Sequence, residues 1–204
     1  MRKQHSFWIL LLVYLIFYIM KIKGLTIRTT PEFVRKYYPD RYQEWLNALP
    51  ETSRTIMSNH IVVNEWYPIV DSLAVPLRLV GQVFYGNDWK KASWDLGRYD
   101  AEETLTGIYK LYVRFGSPGH LISRASRIMA AYYDNAQIEL MQSEKNRVVL
   151  HITRFDQPDE AIEFNMAGWI ERALEISGCR GVKIELTQSL ARKDPVSEFV
   201  VSWN

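Results

Sequence analysis

Apolar residues recur with two different periods in the last third of the chain. Ile162, Met166, Trp169, Ile170, Ala173 and Leu174 follow one another at three- and four-residue spacing, while Glu163, Glu171, Arg172 and Glu175 fall mostly elsewhere on the wheel. That spacing predicts an amphipathic helix with one buried stripe. Pro158 is suited to a first helical position, and Asp159, Glu160 and Glu163 put negative charge where the helix dipole favours it. Ser177-Gly178 supplies the stop. Beyond it Val182, Ile184 and Leu186 alternate with Lys183, Glu185 and Thr187, the period of a strand covered on one face. Asp194-Pro195 marks a turn, and Glu198 to Trp203 reads as the returning strand.

Upstream, Ile22 to Thr29 reads as a first strand, followed by Thr30-Pro31-Glu32 as N-cap, first helical residue and acidic first turn. Short helices are predicted over Arg41 to Ala48 and Glu51 to Met57. A longer one covers Ile69 to Tyr85, kinked at Pro76, whose ring displaces a carbonyl one turn back. Asp88 to Phe115 reads as two helical pieces broken near Asp100 to Thr104, and Pro118 to Tyr133 as another helix. Ile138 to Met141 and Arg147 to Thr153 form a hairpin across Ser143-Glu144-Lys145-Asn146, which joins the terminal pair in an antiparallel sheet. The class is therefore α+β, an N-terminal helical layer packed on a C-terminal antiparallel sheet. With no repeat or low-complexity linker, residues 20–204 read as a single domain.

Several short strings carry a family likeness. Ala167-Gly168-Trp169-Ile170-Glu171, Val182-Lys183-Ile184-Glu185 and Lys193-Asp194-Pro195-Val196-Ser197-Glu198-Phe199 resemble the C-terminal half of bacterial domains related to the 4-vinyl reductase and haem-NO-binding domains. Lys23-Gly24, Tyr38-Pro39-Asp40-Arg41, Trp66-Tyr67-Pro68 and Gly116-Ser117-Pro118 follow in the matching order, so the resemblance spans Met20 to Trp203. It implies a fold shared by small-molecule binders, gas sensors and scaffolding subunits, and fold alone does not choose among them. The chain departs from both branches. The haem-binding branch needs a proximal histidine on a helix and a Tyr-x-Ser-x-Arg motif; the comparable helix has only His120, near its start, and the motif is absent. These departures argue against haem, since iron without an axial protein ligand is poorly held. The cysteines of the 4-vinyl reductase branch are also missing: Val196-Ser197-Glu198 stands in their place.

Phe7 to Met20 is an unbroken apolar run flanked by Arg2-Lys3 and Lys21-Ile22-Lys23. A helix of about 14 residues spans about 21 Å, short of a hydrocarbon core of about 30 Å. No small-x-small cleavage site follows it. Residues 1–19 thus read as an upstream translation artefact with Met20 as initiator, or as an uncleaved anchor. The first reading implies a cytoplasmic protein and the second a membrane-anchored one held through Phe7 to Met20.

The net charge of +2 and scattered basic residues give no footprint for nucleic acid. A lone Cys179 cannot close an intramolecular disulfide, in keeping with a reducing compartment. His5, His60, His120 and His151 lack metal-ligand spacing, and no nucleophile elbow, zinc-protease or phosphate-loop motif exists. His151 alternates with Leu150 and Ile152 and reads as a surface or sheet-edge residue. Asp95, Arg98, Asp100, Glu102 and Glu103 crowd around Gly97, either as an intrahelical ion-pair set or as a polar cluster at a pocket mouth. Aromatic content of 13% supplies amphipathic side chains of the kind that line small-molecule pockets. The candidate pocket residues are Trp94, Tyr109, Met129 and Tyr133, with Arg98 as anchor for an acidic ligand group. The resulting expectation is a non-catalytic module that senses or binds a small hydrophobic or acidic ligand. The alternatives are a scaffold with a filled core, which could be a homodimer, and a tetrapyrrole-related reductase subunit.

Overall fold

A computed structural model describes residues 19–105 and 125–204. The chain enters through β1 (Lys21–Lys23), which pairs antiparallel with β2 (Trp66–Pro68). The strand expected to reach Thr29 stops at Lys23. Gly24 passes so near Val62 that an added Cβ would lie 2.1 Å from its carbonyl oxygen, and the amides of Gly24 and Leu25 donate to the Glu65 and Val63 carbonyls. The backbone then turns into α1 (Gly24–Ile27) and α2 (Thr29–Tyr37), with Ile27 fully buried. Tertiary burial has overridden the local alternation.

The helical layer continues with α3 (Tyr42–Ala48), α4 (Glu51–Ser58), α5 (Val75–Phe84) and α6 (Trp89–Leu105). Pro76 disrupts its helix as a π-turn over Val70–Ala74, in which the Val75 amide donates to the Val70 carbonyl, five residues back. Proline has no N–H to offer the turn before it, and the widened turn absorbs the misfit. The break expected near Asp100 is absent: α6 runs through it, and the Thr104 hydroxyl donates to the Asp100 carbonyl at 2.6 Å. Residues 106–124 lie outside the described region, so the end expected at Phe115 and the start expected at Pro118 fall there. Description resumes with α7 (Ala125–Tyr132).

A four-stranded antiparallel sheet follows, built of β3 (Ala136–Glu144), β4 (Arg147–Phe155), β5 (Lys183–Gln188) and β6 (Ser197–Ser202) in the order β3-β4-β6-β5. The long helix α8 (Glu160–Ile176) connects β4 to β5. Its N-cap is Asp159, one residue beyond Pro158, and the Asp159 carboxylate accepts from the Ala161 amide at 2.7 Å and from Arg78 at 2.8 Å. Gly178, with φ of +100°, closes it as expected. Val148, Leu150 and Ile152 of β4 and Phe199 and Val201 of β6 are buried in one continuous core with the helices. His151 is not at a sheet edge. It sits on the central strand β4, half-buried, with Nε2 2.6 Å from the Glu198 carboxylate of β6.

Two glycines set how α8 meets α6. A Cβ on Gly97 would lie 1.9 Å from the Asn165 carbonyl oxygen, and one on Gly168 would lie 2.0 Å from that of Trp94. The helices therefore touch backbone to backbone, and α6 delivers its next turn, Asp100 to Thr104, against the sheet-facing side of α8.

Candidate functional site

Between this helix pair and the sheet lies a cavity of about 90 Å³. The sheet supplies Ile138, Leu150, Ile152 and Phe199 as its floor. Helix α8 supplies Met166, Trp169 and Ile170, α7 supplies Met129, and Tyr133 follows directly after α7, bridged to Ile22. Each of these follows from the helical or strand period that buries its face. Polar groups enter from α1 and α6, as Thr26, Asp100 and Thr104.

Asp100 is the unusual member. It is 4% exposed, and its Oδ1 is buried without a hydrogen-bond partner among the described residues. Burial pushes its carboxyl well above the usual carboxylate range; the Thr29 hydroxyl and the Arg28 guanidinium pull the other way, and Glu32 adds to the rise. The Tyr133 phenol is likewise raised, by burial first and then by the Asp100 charge. Burial thus favours the neutral form of both groups at the polar end of the cavity.

The structure brings Met129 and Tyr133 together on this wall. Trp94 and Arg98 lie elsewhere. Trp94 Nε1 donates to the Glu171 carboxylate at 2.8 Å, across the α6–α8 crossing. Arg98 pairs with Glu171 and, at 2.9 Å, with Glu175, so its guanidinium is engaged between the helices and does not line the cavity. Tyr109 and His120 lie outside the described residues. Of the ion pairs that the charge-dense stretch around Gly97 makes among the described residues, only that of Asp95 lies within the helix. Asp95 pairs with Lys91, Glu102 with Arg172 and Glu103 with Lys36, while Asp100 turns inward. The signal for Asp100 was its position on the stripe of Ser93, Leu96, Gly97 and Ala101, all buried. Among the described residues no group of three histidine, cysteine or acidic side chains could hold a metal ion, and no helix is long and apolar enough to cross a membrane.

No protein-family model matches the chain, and no curated protein matches it. Solved structures do. An H-NOX protein from S. oneidensis in the Fe(II)NO ligation state superposes with a TM-score of 0.69 at 11% identity, over 90% of this chain and 99% of that one. The Fe(II) unliganded H-NOX protein from K. algicida gives 0.67 at 8% identity, over 90% and 97%. The fold is haem-NO-binding-like. At such identities the likeness concerns the fold alone.

Haem itself does not fit the described residues. The cavity of about 90 Å³ is well below the roughly 300–1,000 Å³ of cofactor and ligand pockets. Its described lining holds no histidine or cysteine to ligate iron and no arginine or lysine to meet propionates. A tyrosinate ligand is disfavoured at Tyr133, where burial holds the phenol in its neutral form.

Proposed function

We propose that this protein is a non-catalytic, ligand-binding sensory module whose ligand is a small molecule other than haem. One observation carries the reading: an apolar cavity lined by α6, α7, α8 and the sheet, with a buried carboxyl at its polar end. Solved proteins of the same fold, described in Fe(II)NO and Fe(II)CO ligation states, give a precedent for ligand binding on this architecture. Here the cavity is about 90 Å³ and its polar end carries a buried acid, so the fold would be used with a different ligand. Lining from α6, α7 and α8 gives a bound molecule contact with three helices, through which it could bias their positions.

The test is mass spectrometry of the organic extract from the purified full-length chain, together with thermal unfolding in the presence of small apolar compounds. A stoichiometric co-purifying molecule, or a melting temperature raised by a compound that fits the cavity, supports the module. A folded protein with an empty extract and an unmoved transition favours a scaffold subunit with a filled core. A coloured extract with tetrapyrrole absorbance would instead support the reductase-subunit alternative suggested by the 4-vinyl reductase likeness.

A further inference from the structure

We propose that the cavity receives a small, neutral, apolar molecule, a single ring or a branched chain, that carries one O–H or N–H group donated to Asp100 Oδ1. This rests on the binding-module reading and specifies its ligand class.

Three observations lead to it. The walls are almost wholly hydrocarbon: Leu150, Ile152 and Phe199 below, Met166 and Trp169 above. They reward a molecule with little polar surface. Asp100 is buried and lines the cavity, yet its Oδ1 has no donor among the described residues. Buried acceptors are nearly always satisfied, so an exception that borders a cavity points to a missing donor. The volume of about 90 Å³ is less than the roughly 150 Å³ of an apolar cavity that admits benzene. A ligand of about five heavy atoms is the appropriate scale.

The charge of the ligand follows from the same groups. An anion would meet the Asp100 carboxyl, and among the described residues the lining holds no lysine or arginine to receive it. A cation would be disfavoured by the Arg28 guanidinium, which is the positive charge coupled to Asp100. A neutral donor meets neither objection.

Pyrrole and furan are rings of equal size, of which only pyrrole has an N–H. Titration of both into the full-length protein, followed by amide chemical shifts or calorimetry, separates the possibilities. Pyrrole should bind about tenfold more tightly than furan, the ratio expected of one ordinary hydrogen bond. Asp100→Leu should abolish that preference while retaining furan binding. Equal affinity for the two rings in the native protein would overturn the role of Asp100 and leave the binding cavity standing. Failure of both rings to bind would overturn the cavity reading as well. The native ratio decides the matter even where Asp100→Leu does not fold.

Discussion

Gly97→Ala tests the helix crossing that shapes the cavity. The new Cβ would lie 1.9 Å from the Asn165 carbonyl oxygen, 2.8 Å from its carbon and 2.9 Å from the Trp169 nitrogen. All three are backbone atoms of α8, so no side-chain rotation relieves the contact. Bringing the first to an ordinary 3.4 Å requires α6 and α8 to separate by 3.4 − 1.9 = 1.5 Å. A gap of 0.5–1 Å already forfeits about a quarter to a half of each dispersion contact. The affected contacts include Ala92, Leu96, Ala167 and Ala173, all buried. Overpacking costs about 1–3 kcal/mol, and a backbone-to-backbone clash belongs at or beyond the upper end. Alanine is the better helix former by about 1 kcal/mol. The net loss should be about 2 kcal/mol or more, a fall in melting temperature of roughly 4–8 °C for a chain of this size.

Thermal and urea unfolding followed by circular dichroism measure it, with exposed Gln82→Ala as a control expected to stay within about 0.5 kcal/mol. Gly168→Ala should behave similarly, because its Cβ would meet the Trp94 carbonyl oxygen at 2.0 Å. The double variant should lose less than the sum, since one separation relieves both clashes. A Gly97→Ala protein as stable as the native one would refute the close-contact account, and with it the claim that the glycine pair sets where Asp100 is delivered.

Asp100→Asn should gain stability relative to the native chain as pH rises. The folded carboxyl is raised by burial, so its contribution is complete below the ordinary carboxylate value and is lost as pH climbs through the raised one; urea midpoints at pH 4 and pH 8 should show the variant's advantage only at the higher pH. Glu163 is 4% exposed and accepts from the Ser189 and Ser197 hydroxyls, themselves buried. Glu163→Ala should cost about 3 kcal/mol by leaving both hydroxyl protons without their carboxylate acceptor, although the oxygens still accept from the Leu190 and Arg192 amides, and Glu163→Gln less, as read from equilibrium denaturation. Asp159→Ala removes the cap on the Ala161 amide and the pairing with Arg78, and a loss of about 1 kcal/mol in thermal unfolding is expected.

Legibility followed the strength of the local signal. Helix α8 and strands β5 and β6 were readable because their apolar residues keep one period over many positions and their ends carry cap chemistry, such as Asp159 and Gly178. The first strand was misread because Gly24 was judged by the residues beside it. What ends the strand is Val62, 38 positions away in the sequence and in contact through Gly24's missing Cβ. The break assigned to Asp100–Thr104 failed for a related reason. A run of acidic and β-branched residues looks like a helix end in isolation, but Ala101 and Leu105 are buried beside Ala173, and that packing holds the last turn of α6 in register.

The site shows the same division, at the resolution of a single helical turn. Arg98 and Asp100 are two residues apart, about 200° around the helix, so only one of them can face the sheet. Choosing Arg98 assumed that a free cation would look for an anionic ligand. The structure engages that cation with Glu171 and Glu175 of α8, two carboxylates four residues apart that present themselves as a clamp. The stripe of Ser93, Leu96, Gly97 and Ala101 would have pointed to Asp100 instead, because a carboxyl on a buried stripe must be neutralised, paired or used. Pairing is incomplete here, since Oδ1 has no partner among the described residues. Burial then favours the neutral form of the acid against a hydrocarbon cavity, and an acid in that position suits a neutral hydrogen-bonding molecule where Arg98 would have suited an anion.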